Sequence, residues 1–124
     1  MSKNPKQILI EIISRFGFVE GETLVLQGTM NPDEAYPETF VTFWTDYTDD
    51  KAHFDNKTQS VEWSFSVILY SSDAAIVNTK PFELMEALRE AGFVPQGKGQ
   101  DIMSDEPTHT GWVIEYLYAE STEF

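Results

Sequence analysis

Residues 61–70 read VEWSFSVILY. The stretch alternates strictly in twos: Val61, Trp63, Phe65, Val67 and Leu69 fall on one side, and Glu62, Ser64, Ser66, Ile68 and Tyr70 on the other. That period, in β-branched and aromatic residues, marks a strand with one buried face. Five large apolar side chains on one face need a partner layer of comparable size, and the flanking segments are the source of it.

Two neighbours read as strands of the same kind. In residues 39–47, TFVTFWTDY, Phe40, Thr42 and Trp44 share one face and Val41, Phe43 and Thr45 the other. In residues 110–120, TGWVIEYLYAE, Trp112, Ile114, Tyr116 and Tyr118 oppose Val113, Glu115 and Leu117. Residues 22–28, ETLVLQG, make a shorter strand after the Gly21 turn. The covering layer is helical. Asn4 is a good N-cap and Pro5 suits the first helical position. Ile8, Leu9, Ile12, Ile13 and Phe16 then recur at helical spacing until Gly17, so a helix is predicted over 5–16. A second helix starts from an Asn78-Thr79 cap with Pro81 in its first turn, carries Phe82, Met85, Leu88 and either Leu84 or Ala91 as its apolar stripe, and stops at Gly92. Phe93-Val94 is the apolar pair that often follows such a stop.

Residues 28–38, 48–60 and 95–109 are polar and rich in turn formers, and read as loops, with one short strand or turn around 101–103. The segment 48–60 is too long for a tight hairpin turn and is expected as an extended loop or flexible hairpin, more mobile than the rest. The expected fold is one α+β domain over 1–124. It has a four-stranded, mainly antiparallel sheet covered by two helices, in the order α-β-β-β-α-β, with two long polar loops. Its core should bring Trp63, Phe65 and Leu69 against Ile12, Phe16, Leu84 and Leu88.

The chain has 124 residues, 41% of them hydrophobic and 14% aromatic, enough for one packed core and against disorder. It has no cysteine, so neither a disulfide framework nor a thiolate metal site is expected. No apolar run approaches the roughly 18 residues of a membrane span, and residues 1–16 lack the pattern of a signal peptide, so a soluble cytoplasmic product is the default. The formal net charge of −13 argues against wrapping a phosphate backbone. It fits a soluble surface, one that repels DNA, or one that imitates it.

Chemistry finds little foothold. His53 and His109 lie in polar segments, and His109 near Asp101, Asp105 and Glu106 has no recognised ligand spacing; a solvated loop is the simpler reading. Asp46, Asp49, Asp50 and Asp55 lack the order of a calcium loop. Gly97-Lys98-Gly99 is a fragment of a phosphate loop without the full pattern. There is no Gly-x-Ser-x-Gly elbow and no cysteine nucleophile. Neither a cofactor nor an enzymatic activity is expected.

The strands carry more apolar surface than two short helices cover. If the far side of the sheet is also apolar, it meets another subunit, and Phe43, Ile68, Tyr70, Val113 and Leu117 are the candidates for that contact. The simpler alternative is that they belong to a mixed surface or to the core of a twisted sheet. Asp49, Asp50, His53, Phe54 and Asp55, in the segment 48–60, are candidates for binding a partner.

Several runs carry a resemblance: Asp55-Asn56 before the strand VEWSFSVILYS, then Asp73, the helix PFELMEALREAGFVP and the closing strand WVIEYLYAE. In these the chain resembles the tail-terminator, or tail-completion, proteins of long-tailed bacteriophages and prophages. Residues 104–111, SDEPTHTG, are similar to members from Gram-positive hosts. The resemblance spans residues 40–120. The N-terminal helix matches in position and not in sequence, and residues 22–38 offer no motif. The resemblance implies a virion structural protein, assembled in the host cytoplasm, without chemistry of its own. It implies a hexameric ring that caps the tail tube at its head-proximal end and joins it to the head-tail connector. Its partners are then the tail tube protein and the connector, with DNA passing through the ring without specific binding and no membrane involved. A head-side stopper or connector protein, or an acidic inhibitor that mimics DNA, are the competing readings.

Overall fold

The computed structural model describes residues 4–26, 36–54, 57–104 and 106–121. The fold is α+β: two helices and a mixed, six-stranded sheet. The elements follow as α1 (Pro5–Ser14), β1 (Leu24–Leu26), β2 (Thr39–Phe54), β3 (Lys57–Ser71), α2 (Ala74–Glu90), β4 (Val94–Pro95), β5 (Gln100–Met103) and β6 (Thr110–Ser121).

The two helix ends that the sequence marks most clearly form as expected. Asn4 closes a capping box with Gln7, and Asn4 Oδ1 accepts from the Gln7 amide at 3.1 Å. At the end of α2 the Phe93 amide donates back to the Leu88 carbonyl and the Gly92 amide to that of Arg89. This is the two-bond glycine cap, with Gly92 at φ 100. Its apolar partners, Leu88 and Phe93, are both fully buried.

Helix α2 begins earlier than the Asn78-Thr79 cap predicted. Asp73 is its N-cap, accepting from the Ala75 amide at 2.9 Å. Thr79 sits inside the helix, its hydroxyl donating to the Ala75 carbonyl, and Pro81 lies mid-helix. The extra turn buries Val77 and packs Ile76 on the core. Burying a side chain of that size contributes about 1.5–3 kcal/mol, which offsets an interior proline in part.

The sheet runs β1-β2-β3-β6-β4, and β5 also pairs with β6. Three features depart from the four-stranded expectation. First, β1 pairs with β2 in parallel, Leu24 opposite Val41. Residues 27–38 separate the two, and about a dozen residues is what a parallel crossover needs. Second, the segment 48–60, expected as an extended loop or flexible hairpin, is a hairpin of regular strand: the β2–β3 ladder continues to Phe54 opposite Lys57. Third, the short strand or turn expected around 101–103 is strand β5, which with β4 makes one interrupted edge strand. Pro95 pairs with Tyr116 and Gln100 with Val113, so residues 96–99 bulge out where β6 has only Ile114 and Glu115. The Trp112 indole donates to the Lys98 carbonyl at 2.9 Å and ties the bulge down.

Both helices cover one face. Leu9, Ile12 and Ile13 of α1 and Val77, Leu84, Met85 and Leu88 of α2 form one cluster with Val41, Phe43, Phe65, Val67, Leu69, Ile114 and Tyr116 of the sheet. Trp63 and Phe16 pack on its margin. Phe65 is central: its ring meets those of Phe43, Trp63 and Phe93 at centroid distances of 6.2, 5.8 and 6.0 Å. The core of strand and helix residues expected from the alternation is therefore one cluster, with Phe43 added to it.

Candidate functional site

The face of the sheet away from the helices is built in rows by the β2–β3–β6 register. Phe40, Tyr70 and Gly111 make one row, then Thr42, Ile68 and Val113, then Trp44, Ser66 and Glu115. A β-bulge follows: the register shifts between Thr45 and Tyr47, so that Tyr47 stands opposite Ser64 and Asp46 is the extra residue. The next row is Asp49, Glu62 and Ala119.

The bulge turns Asp46 onto this face, where its carboxylate is a hydrogen-bond hub. Ser66 Oγ donates to Asp46 Oδ2 at 2.8 Å, Ser64 Oγ to the same oxygen at 3.3 Å, and the Trp44 indole to Oδ1 at 2.8 Å. Both serines are buried. Tyr47 donates to Glu62 Oε2 at 3.2 Å. Asp46, Asp49, Glu62 and Glu115 thus share one end of one face. The sequence singled out Asp46 only for calcium; the better signal was an aspartate inside a strong strand, where that residue is depleted and a bulge accommodates it.

The other end of the face is aromatic and closed. Phe40 stacks on Tyr70 at 5.2 Å, and Tyr36 approaches both Phe40 and His109 edge-on, at 5.4 and 5.9 Å. His109 is buried and not the solvated loop residue expected from the sequence. Its Nε2 lies 2.8 Å from the Pro37 carbonyl and its Nδ1 2.9 Å from the Thr108 hydroxyl. A carbonyl only accepts, so the neutral ring carries its proton on Nε2 and accepts from Thr108 at Nδ1.

The predicted contact residues separate. Phe43 lies on the helix-covered face, opposite Val67, inside the core. Ile68 and Val113 do lie on the far face but are buried within the subunit. Tyr70 and Leu117 are half-buried there and keep exposed surface. Asp49 is exposed on β2. Asp50, His53 and Phe54 continue that strand, paired with Val61, Thr58 and Lys57. Asp55 lies outside the described residues, as does Asp105.

Beyond Ser60, which pairs with Ser121 at the end of β6, the β2–β3 hairpin continues as a two-stranded ribbon. At the opposite end of the sheet, an open cleft of about 460 Å³ lies beside β5, lined by Ile102, Met103, Pro107, His109, Thr110 and Gly111 among others. No family model matches the chain, and no curated protein matches it. Among the described residues, no group of three or more His, Cys, Asp or Glu side chains is placed to hold a metal ion. No helix among them is long and apolar enough to cross a membrane.

Proposed function

We propose that this protein is a structural joining subunit of a phage tail, a tail terminator that forms a ring at the head-proximal end of the tail tube. The observation that carries the reading is the β2–β3 ribbon, which runs past the last β6 pairing at Ser60 and Ser121. A two-stranded ribbon is marginal alone and gains stability by packing on something else. Asp49, Asp50, His53 and Phe54 lie on its β2 strand, where a tail tube or connector subunit would dock. The run of residues 61–70, the α2 helix and the closing strand, which resemble tail terminators in sequence, support the same reading. Subunits meet through Tyr70 and Leu117, the two predicted contact residues with exposed surface. Ring closure uses two different patches on each subunit, one docking on the other of its neighbour. The acidic surface suits a passage through which DNA moves without being held.

The test is the assembled state. Electron microscopy and mass measurement of the chain, alone and added to tail tubes, should give a ring, with six subunits expected. Leu117→Asp should leave the fold intact and abolish both the ring and tails of normal length. A wild-type chain that never forms a ring, alone or on tubes, overturns the reading. The array of Asp46, Asp49, Glu62 and Glu115 on one face favours a second reading, an acidic mimic of DNA. A monomer that binds a nuclease through that face would establish it instead.

A further inference from the structure

The end of the sheet at β5 combines two features that the ring does not use. The first is an open edge. β5 pairs with β6 and, among the described residues, with no strand on its outer side, which is the edge that strand addition uses. The second is the 460 Å³ cleft against that edge. Met103 stands at its margin with 91% of its surface exposed, the most exposed large apolar side chain described. Gly111 leaves no room for a side chain, since a Cβ there would come within 2.7 Å of the Tyr70 ring and 2.8 Å of Ile102. Tyr70 is itself stacked on Phe40.

We infer that the cleft beside β5 binds an extended, lysine- or arginine-flanked segment of a partner protein, which adds a strand to β5 and seats one apolar side chain against Ile102 and Met103. Strand addition of this kind takes affinity from main-chain hydrogen bonds and specificity from pockets for alternate side chains. Charge selects the occupant. Asp101 lines the cleft, and Glu38 follows the Pro37 carbonyl that holds His109. A second copy of a chain with net charge −13 brings like charges to this rim. A basic segment brings opposite ones, which raise the encounter rate and fix the partner. The inference does not depend on ring assembly, because the site lies within one subunit.

The probe is a synthetic peptide alternating threonine with lysine around a central phenylalanine. It is titrated against the full chain by fluorescence anisotropy and followed by amide hydrogen exchange. Saturable binding is expected, with new protection in β5. Replacing the lysines by glutamate, or methylating alternate backbone nitrogens, should weaken binding by about tenfold or more, because each removes one of the two recognition elements. Met103→Ser, at an exposed position that leaves the fold unchanged, should weaken it several-fold. The inference is overturned if the parent peptide does not bind, if the glutamate or N-methyl peptide binds equally well, or if Met103→Ser binds as the wild type does. Protection that appears on β2 instead of β5 overturns it as well. So does self-association of the wild-type chain that Met103→Ser abolishes, which would make the occupant a second copy.

Discussion

The two faces of the sheet use the same three strands for opposite ends. The helix-covered face is uniform: from Val41 through Phe65 to Tyr116 it presents apolar and aromatic side chains to α1 and α2. The far face is graded. It begins with the Tyr36–Phe40–Tyr70–His109 cluster, passes through Ile68 and Val113, and ends in the serines and carboxylates around Asp46. A uniform face is what a covering layer requires. A graded one lets a single strand be anchored at one end and wetted at the other. The buried end fixes the register, and a one-residue slip would exchange every side chain between the two faces.

The largest effect should come from the uniform face. Phe65→Ala removes a fully buried ring from the centre of the core and should lower stability by roughly 3–5 kcal/mol. Chemical denaturation measures it. A loss below about 1 kcal/mol would mean that the face is not packed as described.

Ile68→Ala probes the far face at a position with 0% exposure. The expected loss is about 2–4 kcal/mol, comparable to a deletion in the principal core. If Ile68→Ala is nearly neutral while Phe65→Ala is not, the far face is a surface, and subunit contact through it becomes the better account of its apolar residues.

What the sequence revealed follows from the same contrast. The alternation in β3 identified the set that faces the helices, and the parity of β2 and β6 was also right within each strand, but the single buried face it implied was not: Ser64, Ser66 and Ile68 on the far side are buried as well. The phase between strands was not readable, because it depends on register. Only the pairing of Phe43 with Val67 places Phe43 with the core and not with Ile68. The ribbon was read as an extended loop or flexible hairpin, and not as paired strand, because residues 48–54 carry no apolar alternation. The early start of α2 was hidden because Asp73 and Asn78 are both good caps, and burial of Val77 decided between them. The cleft beside β5 had no sequence signal beyond Ile102-Met103 in a polar segment; bringing it against Gly111 and His109 required the β5–β6 pairing.

Asp46 tests the wet end of the far face. Asp46→Ala leaves the Ser64 and Ser66 hydroxyls and the Trp44 indole without their shared acceptor. The carboxylate is exposed, so water replaces part of what is lost, and the expected cost is about 1 kcal/mol. Asp46→Asn keeps one acceptor oxygen and should cost less. Equal effects for the two would show that the charge, and not the hydrogen bonds, holds the bulge.

The smallest effect is confined to alkaline solution and returns to the covered face. Burial pushes the Tyr116 hydroxyl well above the ordinary tyrosine range, with the Arg89 guanidinium pulling it part of the way back. In the unfolded chain the same hydroxyl titrates near pH 10. Below that pH it is protonated in both states and contributes no pH dependence. Above it the unfolded chain gives up the proton while the folded one retains it. The native state then binds more protons, and stability falls as pH rises, by at most about 1.4 kcal/mol per pH unit for this one group. Tyr116→Phe has no proton to lose there. The difference in unfolding free energy between wild type and Tyr116→Phe should be flat from pH 7 to 9 and decline between pH 10 and 11, while groups common to both proteins cancel. A difference that stays flat to pH 11 would mean that the hydroxyl ionises in the folded protein, and that water reaches the helix-covered face at Tyr116.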